Sequence, residues 1–410
     1  MASEKSVVVS AEPYGYGPAS KLGALASELA ARGNRVHFFG TGTAAEFARA
    51  NADRFASITE LEDMAGLAQV DPHEYDAAVS VMDPYLPVWA AHHGISCAYV
   101  DSLFWIWEWP GQQRPVWDRV GADIAAKGSV VSALAEMARV PMHSSQYLAH
   151  RMASVSCVQQ IPGVPDRAVA FGGPGEVVLV EAIIDRSERA AVPRELWLAS
   201  SSGLLNDLVP LQSAVAWTED VVLLLESALY ESGSELPLVV AGNPDVLECC
   251  TAPKSCAVEL RPMPHRELLS TMNRAAGCLT PPGLTTLLEA AAYGVPSIML
   301  PAQHYGHLLN YRRIAGADGS TSFPDSMVPG TLDHSGADIG RVTGSVLAAL
   351  SELRRSPGGG WDSLVTKLAA AMHTAEAEPD HLARAQHEAV RDLVGGFDGV
   401  RQVADVVEKL

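Results

Sequence analysis

Residues 278–314 read CLTPPGLTTLLEAAAYGVPSIMLPAQHYGHLLNYRRI, and their order of apolar, small and polar residues predicts a succession of local structures. A buried strand leads into a tight turn at Gly283, a helix begins near Leu284, and a second apolar strand ends in a polar loop. The first turn of a helix presents unpaired backbone N–H groups and carries roughly half a positive charge. This order therefore predicts an anion site large enough for a diphosphate.

Side chains on both sides of the turn extend the predicted site. Thr285 and Thr286 add hydroxyls to the first helical turn, and Glu289, six residues after Gly283, can accept hydrogen bonds from paired ribose hydroxyls. The alternative interpretation is an ordinary α/β crossover whose glycine serves only the turn. The polar loop after the second strand favours a ligand site, because α/β sheets bind ligands beyond the carboxyl ends of their strands. The residues predicted to bind this ligand are Pro282, Gly283, Leu284, Thr285, Thr286, Glu289, Gln303, His304, His307 and Asn310.

The same region resembles the donor motif of the nucleotide-sugar glycosyltransferases of GT-B fold, especially the inverting branch of UGT-like enzymes and the peptidoglycan N-acetylglucosaminyl transferase. The resemblance is carried by Gly283, Thr286, Glu289, Gly294, Pro296, Pro301, Gln303 and Asn310. It implies that the small-residue turn and the hydroxyl hold the diphosphate of the donor, that the glutamate binds ribose, and that the last loop reads the sugar.

The sequence departs from the family pattern at two places. Pro281 stands where many UGT-like enzymes have a histidine, and Leu308 and Leu309 align with the glutamine pair that the peptidoglycan enzyme uses on its sugar. Diphosphate and ribose binding do not depend on these positions. The identity of the sugar is therefore left open.

Composition and charge are those of a large globular enzyme. A length of 410 residues indicates roughly two to three domains, and 48% hydrophobic with 19% charged residues excludes a disordered chain. A net charge of −19 argues against nucleic acid as a partner and against stable membrane association, since both require a basic surface. The chain has no run of about 18 apolar residues, and its first residues do not resemble a signal peptide. We therefore expect a cytoplasmic protein.

Neither disulfides nor metal ligands are indicated. Six cysteines, at positions 97, 157, 249, 250, 256 and 278, and thirteen histidines show no metal-ligand spacing, so we expect free thiols and no metal centre. The sequence has no Asp-x-Asp segment that could hold magnesium on a diphosphate. We expect metal-independent chemistry with a nucleoside-diphosphate sugar as co-substrate and no cofactor.

The chain reads as two doubly wound halves. In the first half, strands are predicted at 6–11, 35–42, 76–83, 96–104, 140–145 and 175–185, with helices between them. In the second half, strands at 196–203, 236–244 and 257–264 precede residues 278–314, and the turn after the first of these adds Ser202 and Gly203 to the predicted donor site. The predicted linker is 187–195, because its charges and Pro193 interrupt both periodicities.

These halves predict an α/β fold of two Rossmann-like domains with doubly wound parallel sheets that face a cleft, the GT-B arrangement. The predicted limits are 1–190 for an acceptor-binding domain and 195–378 for a donor-binding domain. A C-terminal helical region, 379–410, is expected to pack back on the first domain, as the resemblance implies.

Two segments of the first half are candidates for acceptor binding. The loop after the first strand contributes Tyr14, Tyr16 and Gly17. Farther along, Trp105, Trp107 and Trp109 recur at every second position, so that in an extended chain they share one face and could wall a pocket. The alternative is that these indoles cover the sheet or mediate contacts of a homodimer.

The glycines at 15, 17 and 23 also allow a nicotinamide dinucleotide site, because they follow a strand and open a helix. Such a site needs an acidic residue at the end of the second strand, and the segment RVHFFGTG at 35–42 has none. The redox alternative is therefore disfavoured.

The mechanism is indicated by one absent residue. Retaining GT-B enzymes resemble one another in a pair of glutamates eight residues apart, of which the second aligns with Glu289; Pro281 stands at the first position, which favours an inverting displacement. That reaction needs a base near the acceptor, and the histidine of UGT-like enzymes is absent from AEPYGYGP. Glu12 in this loop is the first candidate, followed by Asp101 and Asp83 at later strand ends. A carboxyl group has a reference pKa of about 4, so burial would have to raise it.

The sequence therefore predicts an inverting glycosyltransferase that moves a sugar from a nucleoside-diphosphate sugar to a soluble small-molecule acceptor in antibiotic-type specialised metabolism. One alternative keeps the fold with other chemistry, as a nucleotide-sugar epimerase or an enzyme that couples a cyclitol in place of a sugar. Another is a catalytically silent sugar-nucleotide-binding partner of another transferase. Uridine diphosphate is one of four nucleotides to test.

Overall fold

The computed structural model describes residues 4–109, 113–172, 176–201, 209–315 and 339–410, which form two compact α/β units. The first unit comprises Met1–Asp185 with Leu393–Leu410, and the second comprises Arg186–Asp392. The predicted limits of 1–190, 195–378 and 379–410 stay a prediction, whereas the contacts divide the chain after Asp185 and again after Asp392.

The first unit alternates strands and helices, and its central strands are apolar on both faces. Val7, Val8 and Val9 are completely buried, as expected of a strand in a parallel sheet that helices cover on two sides. In chain order the elements are β1 Ser6–Ala11, α1 Tyr16–Ala31, β2 Arg35–Gly40, α2 Gly42–Ala50, β3 Ser57–Glu60, β4 Ala77–Val81, α3 Tyr85–His93, β5 Ser96–Asp101, α4 Arg114–Ala125, α5 Val130–Met137, α6 Met142–Met152, β6 Val155–Gln159, α7 Val164–Phe171 and β7 Glu176–Val180.

The sheet of the first unit positions its polar residues. Within the described residues its strands lie in the order β3-β2-β1-β4-β5-β6-β7, and the pairings are parallel. The order reverses between β1 and β4, which makes the carboxyl ends of these two strands the topological switch point where α/β sheets bind ligands. Glu12 follows β1 and Asp83 follows β4 at this point.

One strand predicted for the first unit is wrong. Residues 140–145 do not form a strand, because Met142 begins helix α6 with Pro141 as its N-cap, and the Ser145 N–H donates to the Pro141 carbonyl at 2.8 Å. The strand beside β5 is instead β6, which is buried although Ser156 and Gln159 interrupt its apolar run. Proline suits the start of a helix, and pairing with β5 outweighs the weak local signal of β6.

The end of the chain belongs to the core of the first unit. A last helix, Gly399–Val407, buries Val403 and Ala404 in the same apolar cluster as α1 and the sheet. Just before it, the Ala182 N–H donates to the Gly396 carbonyl at 3.1 Å, and the Gly399 N–H donates to the Ala182 carbonyl at 3.2 Å. This segment therefore lies backbone against backbone with the residues that follow β7.

The second unit repeats the pattern with a smaller sheet. In chain order its elements are β8 Leu196–Ser200, α8 Leu211–Ser232, β9 Leu238–Gly242, α9 Pro244–Cys249, β10 Val258–Pro262, α10 His265–Asn273, β11 Ala275–Thr280, α11 Leu284–Tyr293, β12 Ser297–Met299, α12 Tyr305–Ala315, α13 Ile339–Arg355, α14 Gly360–Ala377 and α15 Pro379–Val394; the last helix of the chain, Gly399–Val407, is α16.

The described strands of this sheet lie in the order β10-β9-β8-β11-β12 with parallel pairings, and the order reverses between β8 and β11. Gly277 of β11 leaves room for the ring of Trp197 in β8, since a Cβ there would lie 2.3 Å from that ring.

The edge strand of the second sheet is covered by a side chain. Gln386 of α15 accepts from the Ser297 N–H at 2.6 Å and donates to the Ser297 carbonyl at 2.9 Å, which pairs backbone groups that would otherwise lie open.

Among the described residues, no helix combines the length and the apolar character needed to cross a bilayer.

We expect Gly399→Ala to lower the free energy of unfolding of the first unit by about 1 to 3 kcal/mol, because overpacking against backbone cannot be relieved by a side-chain movement. The added Cβ would lie 2.2 Å from the Glu181 carbonyl oxygen and 2.8 Å from that of Ala182. Urea unfolding followed by fluorescence measures the change. Gly128→Ala is the matched control, since none of the described atoms lies within 4 Å of a Cβ there. Equal stability of the two variants would contradict the expected close contact.

Candidate functional site

The second unit concentrates polar groups at the start of α11, beyond the carboxyl end of β11. Gly283 is the N-cap of α11, with φ −78° and ψ 119°, a conformation open to any residue. The tight turn is closed by the Gly283 N–H, which donates to the Pro281 carbonyl at 2.5 Å across Pro282. The predicted turn is present, but Pro282 rather than a special glycine conformation forms it. Because Gly283 has no side chain, it cannot cap the N–H groups of the first turn.

The loop after β12 is tied to this turn and to the end of β8. The Gln303 amide donates to the Ser201 carbonyl at 3.2 Å, and the Asn310 amide donates to the Pro282 carbonyl at 2.9 Å. Both side chains are buried, and within the described part of the chain their oxygens, Gln303 Oε1 and Asn310 Oδ1, have no hydrogen-bond partner. The site therefore combines a helix start whose N-cap residue has no side chain with two buried acceptors.

Glu289 is buried on α11 and has a partner that the sequence reasoning missed. The Nε2 atom of His265, the first residue of α10, lies 3.0 Å from Glu289 Oε1. Only 2% of the Glu289 side chain is exposed, so this contact offsets part of the cost of burying its carboxylate. His265 could have been noticed because it closely follows the carboxyl end of β10, where α/β sheets place their functional groups.

Two imidazole rings in contact complete this region. The rings of His304 and His307 lie 3.8 Å apart between centroids. Burial lowers the pKa of His304 to about 4, and burial together with the neighbouring His304 lowers the pKa of His307 well below 6.5. Both rings are therefore neutral at pH 7.

The structure brings Pro282, Gly283, Gln303, His307 and Asn310 together around the start of α11. Leu284, Thr285 and Thr286 follow in the first turn of that helix. Ser202 and Gly203, which the sequence also assigned to the donor site, lie outside the described residues.

The three carboxylic acids proposed as bases all lie at the carboxyl ends of β1, β4 and β5 in the first unit. The chain leaves β1 with the Glu12 N–H bonded to the Val81 carbonyl at 3.0 Å, which holds the loop against the end of β4. Asp83 and Asp101 are completely buried. Their hydrogen bonds differ, and these bonds distinguish their roles.

Asp83 is engaged in local structure. Its Oδ2 accepts from the Ser10 hydroxyl at 2.5 Å and its Oδ1 accepts from the Tyr85 N–H at 3.0 Å, at the start of α3. Burial raises the pKa of Asp83 to about 6, and these hydrogen bonds act in the opposite direction. The preceding residue, Met82, has φ +60°, a strained conformation for a residue with a side chain.

Asp101 is surrounded by donors. The Leu103 N–H donates to its Oδ1 at 2.7 Å and the Trp107 indole N–H donates to its Oδ2 at 2.7 Å. His150 Nε2 lies 2.9 Å from the same Oδ2, and His150 Nδ1 lies 2.9 Å from the Ser156 hydroxyl. His150 lies on α6, the helix that begins within the predicted strand 140–145. It is a second residue that sequence reasoning missed. With both oxygens occupied, Asp101 is a poor candidate to accept a substrate proton.

Glu12 differs from both aspartates. Among the residues that the structure describes, no hydrogen bond or ion pair to its carboxyl group is present. Burial, with smaller contributions from the charges of Asp101 and Asp83, raises the pKa of Glu12 from 4.5 to about 7. A carboxylate with this pKa can take up a proton near neutral pH, as a general base must.

The tryptophans do not form the extended face predicted from their spacing. Residues 104–106 turn, with the Ile106 N–H bonded to the Leu103 carbonyl at 2.8 Å, so the alternation of an extended chain is lost. Trp107 is bound to Asp101, and the ring of Trp109 packs on Phe104 and Phe171 with centroids 5.2 and 5.5 Å away. Trp105 is half-buried in this turn. Acceptor binding by Trp105, Trp107 and Trp109 stays a prediction, as it does for Tyr14, Tyr16 and Gly17 near the start of α1.

Several solved structures resemble this chain along its whole length. They include the glycotransferase of kitacinnamycin (16% identity, 100% of this chain and 99% of that chain, TM-score 0.52). They also include LpCGTa in complex with UDP (14% identity, 99% of this chain and 99% of that chain, TM-score 0.53). A third is Phytolacca americana UGT2 complexed with UDP-2fluoro-glucose and pterostilbene (14% identity, 100% of this chain and 100% of that chain, TM-score 0.50). No protein-family model matches the chain, and no curated protein matches it by sequence.

The fold is that of the GT-B glycosyltransferases, which confirms the fold class predicted from the sequence as two doubly wound parallel-sheet units. Identities this low establish the fold alone, and a fold hosts more than one function. The reaction must be argued from the residues at the two switch points.

We expect Glu12→Gln to stabilise the first unit increasingly as the pH rises from 5 to 8. The raised pKa means that the folded protein binds more protons than the unfolded chain between about pH 4.5 and 7, so the contribution of Glu12 to stability is lost as the pH rises through 7. A glutamine at position 12 stays neutral at every pH, so the variant does not lose this contribution to stability. The difference in Tm between variant and wild type, measured by calorimetry at each pH, checks this; Glu46→Gln, at an exposed position of α2, controls for the removal of one charge. A difference that is the same at pH 5 and pH 8 contradicts the raised pKa of Glu12.

Proposed function

We propose that this protein is an inverting glycosyltransferase that transfers a sugar from a nucleoside-diphosphate sugar to a small-molecule acceptor. The observation that carries the proposal is the start of α11 at the switch point of the second sheet: Gly283 has no side chain to cap the helix, and two buried amide oxygens, Gln303 Oε1 and Asn310 Oδ1, have no hydrogen-bond partner among the described residues. The buried Glu289 carboxylate lies farther along the same helix. Donors of this kind suit a diphosphate, and acceptors of this kind suit the hydroxyls of ribose and of a sugar.

The proposed chemistry breaks the bond between the anomeric carbon and the diphosphate oxygen. The electron pair leaves with the nucleoside diphosphate, whose added charge is stabilised by the N–H groups and the positive end of the helix dipole at α11. The acceptor oxygen or nitrogen forms the new bond to the opposite face of that carbon and gives up its proton. Inversion is supported by Pro281, which stands where the resemblance would require the first glutamate of a retaining pair.

Glu12 is the proposed acceptor of that proton. Its carboxyl group is uncommitted among the described residues, whereas Asp83 and Asp101 are each held by two or more donors. A pKa of about 7 gives Glu12 enough proton affinity for general base catalysis at neutral pH. Asp101, held by Trp107 and His150, supports this role by its charge rather than by taking the proton.

Three further parts of the proposal rest on composition and likeness. Uridine diphosphate is the first nucleotide to test, because two of the similar structures contain UDP or a UDP-sugar. The absence of an Asp-x-Asp segment supports a reaction without a metal ion. A soluble acceptor in the cytoplasm is supported by the net charge of −19, which disfavours an anionic membrane surface as a partner. An antibiotic-type acceptor is supported by the likeness to the glycotransferase of kitacinnamycin.

A thermal-shift screen across uridine, thymidine, guanosine and adenosine diphosphates, followed by turnover with the matching sugar nucleotides, tests the function. Glycosylated product with released nucleoside diphosphate supports the proposal. Nucleotide release or sugar isomerisation without an acceptor indicates the epimerase or coupling alternative, and binding without turnover across an acceptor panel indicates a silent partner protein. No shift with any of the four diphosphates would falsify the donor site.

We expect Glu289→Ala to weaken nucleoside-diphosphate binding by about 1 to 3 kcal/mol, the range for a lost buried hydrogen bond to a charged group. Glu289→Gln, which keeps the shape and one acceptor oxygen, should lose less. Calorimetry on both variants provides the measurement. Affinity unchanged in Glu289→Ala would remove this residue from the site.

We expect Glu12→Gln to lower kcat by roughly 100-fold or more and to leave KM nearly unchanged, because the base acts in the transition state. In the wild type, kcat should rise with pH through about 7, where the Glu12 carboxyl loses its proton. Asp101→Asn should move this rise to lower pH, since it removes a neighbouring negative charge. Retention of most of the turnover by Glu12→Gln rules out its role as the base.

A further inference from the structure

The imidazole ring of His307 faces the start of α11. His307 lies in the first turn of α12 and is 7% exposed. A Cβ on Gly283 would lie 3.5 Å from His307 Nε2, the nearest atom to that position. The space that Gly283 leaves open is therefore bounded by this nitrogen as well as by the start of the helix.

The backbone of the loop decides which nitrogen of His307 carries the proton. The Gln303 N–H donates to His307 Nδ1 at 3.3 Å, so Nδ1 presents its lone pair. In a neutral imidazole the proton then resides on Nε2, the atom closest to Gly283. Burial keeps the ring neutral, because it lowers the pKa of His307 well below 6.5. His307 consequently points a fixed N–H donor at the space in front of α11.

A second buried group marks the same space. Asn310 holds the Pro282 carbonyl through its amide nitrogen at 2.9 Å, is 6% exposed, and has in Oδ1 an oxygen without a hydrogen-bond partner among the described residues. A buried acceptor without a donor, beside a helix start without a cap, indicates a bound molecule that has both phosphate and hydroxyl groups. The two side chains are complementary: Nε2–H of His307 suits a phosphate oxygen, and Oδ1 of Asn310 suits a hydroxyl.

We propose that His307 binds the diphosphate of the donor by donating its Nε2–H to a phosphate oxygen, beside the N–H groups that follow Gly283. This assignment rests on the proposed function and changes the expected role of the loop, which the resemblance assigned to the sugar. A neutral donor avoids the cost of burying a second charge, and its hydrogen bond to an anion is of the stronger, charge-assisted kind. Asn310 and Gln303 remain available for hydroxyl groups.

The test compares a nucleoside diphosphate with its nucleoside, using the diphosphate that gives the largest shift in the thermal screen. Dissociation constants are measured by calorimetry for the diphosphate and by competition for the nucleoside. His307→Leu removes the donor and should weaken the diphosphate about 10- to 100-fold while changing the nucleoside by less than about twofold. His307→Gln retains an N–H donor at similar reach and should recover most of the loss. Glu289→Ala, in contrast, should weaken both ligands, because both carry ribose.

Two outcomes overturn the assignment. Equal weakening of diphosphate and nucleoside by His307→Leu means that the residue only maintains the loop, and unchanged affinity for both means that it does not touch the ligand. In either case a loss in Glu289→Ala leaves the proposed function standing, whereas a wild-type protein that binds none of the diphosphates removes both. If His307→Leu folds poorly, His307→Asn, whose amide is shorter, replaces it in the same comparison.

Discussion

The start of α11 is the constraint on the second unit, because a helix start without a capping side chain needs hydrogen-bond acceptors from elsewhere. Gly283 offers no side chain and the first turn contains no acidic residue, so neither can satisfy the N–H groups. Gln303 and Asn310 hold the surrounding loop in place, because their amide nitrogens donate hydrogen bonds to the carbonyls of Ser201 and Pro282. The amide oxygens of Gln303 and Asn310 have no hydrogen-bond partner among the described residues, so a molecule with phosphates and hydroxyls can bind to them and to the start of α11 together.

The first unit distributes hydrogen bonds unequally among three acids close in space. Asp83 and Asp101 each accept hydrogen bonds from several donors. Burial, and after it the charges of Asp101 and Asp83, raises the pKa of Glu12 to about 7. The positive φ of Met82 directs the chain after β4 into this arrangement at a local conformational cost. Glu12 therefore differs from Asp83 and Asp101 in its chemistry, although all three side chains are carboxylic acids.

Both sites lower the stability of the units that carry them. A buried acceptor without a donor, such as Gln303 Oε1 or Asn310 Oδ1, costs about 1 to 3 kcal/mol. The parallel sheets compensate with strands such as β1 and β8 that are buried along nearly their entire length. Rigid strands with unsatisfied groups at their carboxyl ends are what a switch-point site requires, because the ligand must find its partners already in place.

The order of strands and helices, the turn at Gly283 and the position of Glu289 on a helix could be predicted from local patterns, because periodicity and turn chemistry act over a few residues. The strand β6 could not, since Ser156 and Gln159 weaken its local signal and pairing with β5 decides it. The expected extended face of three tryptophans is absent, because the chain turns at residues 104–106 and the Trp107 indole N–H donates to the buried Asp101. Three contacts join residues from separate elements, and local patterns do not indicate them. Glu289 lies against His265, Asp101 lies against His150, and His307 faces Gly283. Burial and hydrogen bonding between distant segments settle these contacts, and such interactions exist only once the chain has folded.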